Sequence, residues 1–505
     1  MEDYHPHHPP HHHHPHHPHH PDHGPRPSAP PTTHSTNSFW HSEPSALLTG
    51  HRSTRDLPRT ADVVIIGSGI TGASVAHHLL TSTHGEGKKG QSVVMLEARE
   101  ACWGATGRNG GHCVPMPIEH PEDPTIGRFE LANYHAIQSL VASKNIACEF
   151  VAQPGVAAIW DQRTLIGVEL TMLAIQESAP DLRQTMRLVT DRDELAKLRV
   201  PTALGAIASS VAARMWPYKF VARILEDLLT STELHGSFNL QTLTPVECLA
   251  PYDFDRWTVK TPRGCIVASK VVLATNAYTS HLLPDFADLI VPCRGQMSAL
   301  TPLPSVEGDN RLLANYGFRG DGMDDYLVQR PNESGGQLMF GGGRQQGRSM
   351  GVTDDSFISD KTAQYLRTRL LEAFSLPEGK SNSKAGKHTE FKAEYEWTGI
   401  MGFSRDELPW VGPVPGKPNV YLSAGYTGHG MPNTWLCGKA VARMVQADRT
   451  DHIEDAWEEF GLPQAYVASV RRMADSRLLE EVEAKDWAEM ERGRRRTDRP
   501  HSGYA

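Results

Sequence analysis

The stretch Ala61-Asp-Val-Val-Ile-Ile-Gly-Ser-Gly-Ile-Thr-Gly-Ala-Ser-Val-Ala-His-His-Leu-Leu80 limits the possible folds more than any other part of this chain. A run of the buried-strand type, Val63 to Ile66, meets Gly67, Gly69 and Gly72. An apolar helix pattern then continues through Val75, Ala76, Leu79 and Leu80. G-x-G-x-x-G between a strand and a helix seats a dinucleotide pyrophosphate on the helix N-terminus. Gly67 permits the tight turn, and Gly69 lets phosphate oxygens reach backbone amides. Gly72 lets the helix pack close to the strand. Ile70 and Thr71, which open the helix, are expected among the contacts.

A second apolar strand, Ser92-Val-Val-Met-Leu-Glu-Ala98, ends at Glu97, 25 residues beyond Gly72. An acid there hydrogen-bonds ribose hydroxyls and repels a 2′-phosphate, which points to FAD or NAD rather than NADP. Ala98 and Arg99, just beyond it, are expected beside the nucleotide. The polar insert His84-Gly-Glu-Gly-Lys-Lys-Gly-Gln91 reads as an extended loop that accounts for the long spacing. A Gly-rich turn in an ordinary α/β domain is the plainer alternative, but here strand, glycines, helix and acid fall in order.

At 505 residues, two or more domains are expected. A net charge of −9 argues against a nucleic-acid surface. No apolar run approaches the ~20 residues that span a bilayer. No signal-peptide core or peroxisomal terminus is visible. Seven scattered cysteines suit a reducing compartment, and a cytoplasmic location is expected.

Residues 1–50 read as a disordered His/Pro-rich tail, with 12 of the 27 histidines between positions 5 and 23. No metal site is expected. Phe39-Trp40-His41 is the exception, an aromatic cluster expected on the folded body. Residues 125–144 read as a helix, 156–160 as a strand and 163–199 as one or two helices. The hairpin over 258–269 leads into Lys270–Ala277. Strands at 294–300, 326–329 and 337–340 and a helix at 361–375 suggest an antiparallel-sheet domain, after which Val420–Ala424 and its helix return to the α/β pattern. The expected division is a discontinuous nucleotide-binding domain (56–120, 205–290 and 386–450), an inserted substrate domain (121–204 and 291–385), and a charged helical tail (451–505). Within that tail, 464–492 reads as a long polar helix ending in a basic run at 492–496.

Several further segments share a pattern. They are Gly104-Ala-Thr-Gly-Arg-Asn-Gly-Gly111, Ala274-Thr-Asn-Ala-Tyr278, Pro292-Cys-Arg-Gly-Gln296 and Gly341-Gly-Gly-Arg344. Further on stand the run Gly399 to Pro413 and Gly425-Tyr-Thr-Gly-His-Gly-Met431. In this order the chain resembles the D-amino-acid-oxidase-like class of FAD-dependent amine oxidoreductases, in particular the gamma-glutamylputrescine-oxidase type and its fungal relatives. The resemblance implies an α/β fold of the glutathione-reductase-like FAD/NAD(P)-binding class, with a Rossmann-type domain and an inserted substrate domain. It also implies an amine or amino-acid substrate, a hydride passed from the amine carbon to flavin N5 to leave an imine, and reoxidation by O2 or another acceptor. The imine hydrolyses to an aldehyde or keto acid.

Within these segments, Thr106, Gly107, Arg108, Asn109, Gly110 and Gly111 are expected to supply amides and a cation near the pyrophosphate and flavin edge, with His112 at the ring. Thr275 would lie beside the nucleotide, with Asn276 capping the next turn. Gly402, Gly428, His429, Gly430 and Met431 are expected at the flavin, the last four before a helix N-terminus that stabilises negative charge on it. His429, Arg294, Tyr326 and Arg344 are the candidate catalytic and substrate residues, an Arg holding a carboxylate and an aromatic wall orienting the amine. Arg330 is weighed alongside them, and Trp397, Phe403 and Trp410 as a flavin-facing or core wall. Trp103 is followed by Gly104 where some relatives carry an attaching His, and Cys293 and Cys437 lie in no attachment motif, so non-covalent FAD is expected. Two other readings remain open. One is a flavin hydroxylase or a reductase, though no C-x-x-C or C-x4-C pair follows the first helix. The other is a flavin-binding scaffold or sensor without catalysis.

Overall fold

The computed structural model describes residues 26–81, 90–320, 323–380, 390–449 and 453–478. The histidine tract, nearly all of the polar insert and the basic run lie outside these residues. The main elements, in chain order, begin with β1 (Thr60–Ile66), α1 (Ile70–Thr81), β2 (Gln91–Leu96), α2 (Pro124–Ser143), β3 (Gly155–Ile159) and α3 (Gln162–Ser178). Next come β4 (Met186–Val189), β5 (Gly205–Ser209), α4 (Pro217–Thr230), β6 (Gly236–Gln241), β7 (Cys248–Pro251) and β8 (Trp257–Thr261). They are followed by β9 (Gly264–Leu273), β10 (Ile290–Leu300), β11 (Asn315–Gly320), β12 (Met323–Gln329) and β13 (Leu338–Gly342). The last are α5 (Asp360–Ala373), β14 (Ala393–Ser404), β15 (Trp410–Pro413), β16 (Val420–Ala424) and α6 (Thr434–Gln446).

Two eight-stranded sheets dominate. The first has the order β7-β8-β9-β1-β2-β6, with β16 joined to the end of β9 and β15 to β16. β1 lies parallel to β2 (Val63 beside Val93, Ile66 beside Leu96) and to β9 (Ile66 beside Leu273). Val63, Val64 and Ile65 are fully buried, as expected of a continuous apolar strand covered on both faces. The second sheet runs β14-β10-β13-β12-β11-β3-β5-β4 and is mostly antiparallel. Its core lies under α5, where Leu366 and Leu370 meet Leu300, Leu327 and Phe340.

Several expectations change. β5 falls within 205–290 and β14 within 386–450, yet both pair in the second sheet, β5 with β3 and β14 along the whole of β10. Strand partners so distant in sequence leave no mark in local periodicity. The span 163–199 contains a strand, β4, whose Met186 and Val189 are buried. Phe39, Trp40 and His41 are buried, as expected of the aromatic cluster, but Ser28 is buried as well, within the stretch expected to be a tail. The C-terminal segment is also docked. Ile453, Phe460 and Tyr466 are buried, and a helix begins at Val470 rather than 464.

Candidate functional site

A cavity of about 1330 Å³ runs from the β1–α1 turn into the space between the two sheets. Single small-molecule sites are usually ~300–1,000 Å³, so this one has room for a large cofactor and a substrate. Gly67 sits at φ +105°, and a Cβ there would lie 2.5 Å from the Ala274 carbonyl oxygen. Gly67, Gly69, Ile70, Thr71 and Thr106 line the cavity. Thr106 Oγ1 accepts the Ile70 amide at 3.1 Å, which fixes the glycine loop against the start of α1. Gly72 stands outside the lining. A Cβ on it would fall 2.0 Å from the Gly67 carbonyl oxygen, so its role is the close approach of helix and strand.

Glu97 closes β2. Its carboxylate accepts the Ser68 amide (3.0 Å) and hydroxyl (2.7 Å) and the Arg99 amide (2.9 Å). The carboxylate is thereby held at the cavity wall beside Ala98 and Arg99. The Tyr278 hydroxyl, also on this wall, is buried with no hydrogen-bond partner, a group suited to a polar ligand atom.

Arg108 lines the cavity and is held by protein partners at every nitrogen. Its Nε donates to the Trp103 carbonyl (2.9 Å), its Nη1 to Thr398 (2.8 Å) and its Nη2 to Thr36 (2.8 Å), and Asp355 lies 3.6 Å from Nε. Burial pulls it down to about 10, with Asp355 opposing. Arg99 is likewise paired with Asp355, at 2.9 Å. Gly107 and Gly111 are packing positions: Cβ atoms there would meet His41 Nε2 at 2.2 Å and the Met215 carbonyl oxygen at 2.6 Å. Asn109 and Gly110 do line the cavity, and Asn109 Oδ1 accepts the Gly111 amide at 2.8 Å.

Thr275 and Asn276 line the cavity at the end of β9. Asn276 caps no helix. It sits at φ +43°, and its Oδ1 accepts the Gly425 amide at 3.0 Å, tying β9 to β16. Gly402 is required by that same asparagine, since a Cβ would lie 2.7 Å from Asn276 Oδ1. It faces no part of the cavity.

At the far end, His112 and Tyr326 meet edge to face at 5.3 Å. The His112 ring is buried beside the Leu327 and Gly110 backbone. Burial pulls the ring down to about 4, so it is neutral near pH 7. Gly428, His429, Gly430 and Met431 form the approach to α6, all on the cavity wall. His429 Nε2 is 2.9 Å from Glu130 Oε1 on α2. Burial alone would lower the imidazole, but Glu130 outweighs it and the net shift is upward. Arg344 lines the cavity, paired with Asp324 and lying over the Phe403 ring. Arg294, expected at the substrate, lies outside the cavity lining. It points out of the cavity, stacked 3.7 Å over Phe357, because neighbours along β10 alternate faces and Gly295 takes the inner one. Arg330 pairs with Glu149 at 2.6 Å, away from the site. Trp397 and Trp410 are core residues, fully buried, while Phe403 is on the cavity wall.

Three charged side chains that shape the cavity and its surroundings escape a reading of the sequence: Glu130 and Arg319 on the wall, and Asp355 behind it. Glu130 carried one signal, an acid within the apolar pattern of α2, and is 2% exposed. Arg319 and Asp355 lie in segments with no motif.

The family model for FAD dependent oxidoreductase (DAO) matches residues 62–444. Gamma-glutamylputrescine oxidoreductase of Escherichia coli strain K12 is 24% identical over 404 residues, covering 77% of this chain and 84% of that protein. Glycine oxidase from Geobacillus kaustophilus superposes with a TM-score of 0.62 at 17% identity, over 82% of this chain and 99% of that one. L-proline dehydrogenase from P. horikoshii gives 0.59 at 19%, over 80% and 97%. These two structures share the two-domain fold. With a glycine cradle, an acid at the end of β2 and a cavity of this size in place, the chain belongs to the FAD-dependent oxidoreductase family.

Proposed function

We propose that this protein oxidises the C–N bond of an amine to an imine that hydrolyses to a carbonyl compound, and that the substrate carries no α-carboxylate. The relatives named above act on amines or amino acids by their names, and the acid partners of two cavity-wall arginines support the first. Arg344 is engaged by Asp324, and Arg319, also on the cavity wall, by Glu119. A substrate carboxylate brought to either guanidinium meets the acid as well as the base, so the bidentate clamp that favours amino acids is compensated. Bound FAD supplies the hydride acceptor. Tyr326 and the neutral His112 form an orienting wall, and the Glu130–His429 pair fixes the loop ahead of α6. The FAD is held without a covalent bond, since neither Cys293 nor Cys437 lines the cavity. O2 or another acceptor reoxidises it, and the seven free thiols suit the cytoplasm.

Anaerobic visible spectroscopy of the purified protein, titrated with amines and amino acids, tests this. Bleaching of the flavin band by amines lacking a carboxylate is the expected result. Bleaching by amino acids alone would overturn the substrate class, and a flavin that nothing reduces would favour the scaffold reading.

A further inference from the structure

The segment before residue 62, where the family match begins, lies against the nucleotide end of the cavity. The Ser28 amide donates to Ser280 Oγ at 2.9 Å, and Thr32 Oγ1 donates to Asp355 Oδ1 at 2.6 Å. Between these pins, Pro30 and Pro31 line the cavity together with Glu97 and Tyr278. Pro30 is exposed and Pro31 half-buried, so neither is there to fill a core. Beyond the second pin the segment is anchored tightly. The Thr36 amide donates to the Asp355 carbonyl (2.8 Å), Ser38 Oγ to the Gly107 carbonyl (2.7 Å) and Trp40 Nε1 to the Asn109 carbonyl (2.5 Å). The His41 ring stacks on Trp103 with centroids 3.7 Å apart.

We propose that residues 28–41 are a cofactor strap. Phe39, Trp40 and His41 fasten it to the glycine loop, Thr32 latches it to Asp355, and Pro30-Pro31 closes the adenosine side of bound FAD. Two consecutive prolines have fixed φ and little freedom to lose when ordered, which makes a stiff wall at small entropic cost. Tyr278, whose buried hydroxyl has no hydrogen-bond partner, lines the same cavity as Pro30, Pro31 and Glu97. This rests on the family's cofactor occupying the cavity. It assigns that cofactor a wall that lies outside the family's own matched residues.

Two full-length variants test it, P30G/P31G and T32V, both retaining the aromatic anchor. Apoprotein is titrated with FAD by flavin fluorescence, and the melting of apo and FAD-loaded protein is followed. The expected result is an FAD Kd at least about tenfold higher than wild type, with the melting temperature lowered in the loaded form and not in the apo form. An FAD Kd within about twofold of wild type in both variants, or equal destabilisation of apo and loaded protein, would make the segment a packing element and overturn the strap. Wild-type protein that takes up no FAD would overturn the cofactor assignment itself, a separate failure.

Discussion

Asp355 Oδ2 lies 2.9 Å from Arg99 Nη1, both side chains buried, although 256 positions separate them. One carboxylate from the loop before α5 thus ties together the end of β2, the glycine loop through Arg108 and the N-terminal segment through Thr32.

Asp355→Asn therefore removes the counter-charge of two buried guanidinium groups. Breaking a buried pair by taking away one partner costs about 3–5 kcal/mol. Denaturant unfolding of the variant should show a loss of that order, and a loss below about 1 kcal/mol would mean that the arginines are satisfied by their carbonyl partners.

Trp40→Ala should cost about 3–5 kcal/mol, because the indole is 1% exposed, meets Trp216 and Phe39 edge to face and donates to Asn109. A chain whose first 50 residues were all a solvated tail would melt unchanged, so thermal unfolding of this variant reads the packing of the segment directly.

Gly72→Ala drives a methyl group into the Gly67 carbonyl and forces α1 away from β1. We expect a loss of about 1–3 kcal/mol together with weaker FAD retention. Flavin content after gel filtration is the measurement, and full retention would show that the turn absorbs the shift.

The His429 value lies above the unfolded 6.5: burial lowers it, and the Glu130 carboxylate more than reverses that. The protonated ring therefore stabilises the fold fully below pH 6.5, and that contribution is lost as pH rises through the folded value. His429→Gln should lose more stability near pH 6 than near pH 9. Glu130→Gln should bring the imidazole pKa, followed by NMR, down to or below 6.5. A stability difference independent of pH would remove the ion pair from the account.

Much of the cofactor end was legible in order along the chain. Strand, glycine turn, helix and acid from Val63 to Glu97 are local, and each step restricts the next through backbone sterics and burial. The same holds for α2, whose 3.6-residue period shows without any partner. The substrate end was legible only as residue types. Tyr326 and Arg344 have the right chemistry, but so does Arg294, and nothing local says which face of β10 turns inward.

The sequence by itself determined the nucleotide cradle, because a tight turn, a positive-φ glycine and an acid at a strand end are consequences of neighbouring residues. Only the tertiary structure decided what the charges do. Arg99 and Arg108 meet Asp355, Arg319 meets Glu119, and His429 meets Glu130, all across long sequence separations. It also decided that residues 28–38 join the aromatic cluster on the folded body, since the surface that holds Phe39 and Trp40 exists only after Trp216 and the glycine loop have been brought together.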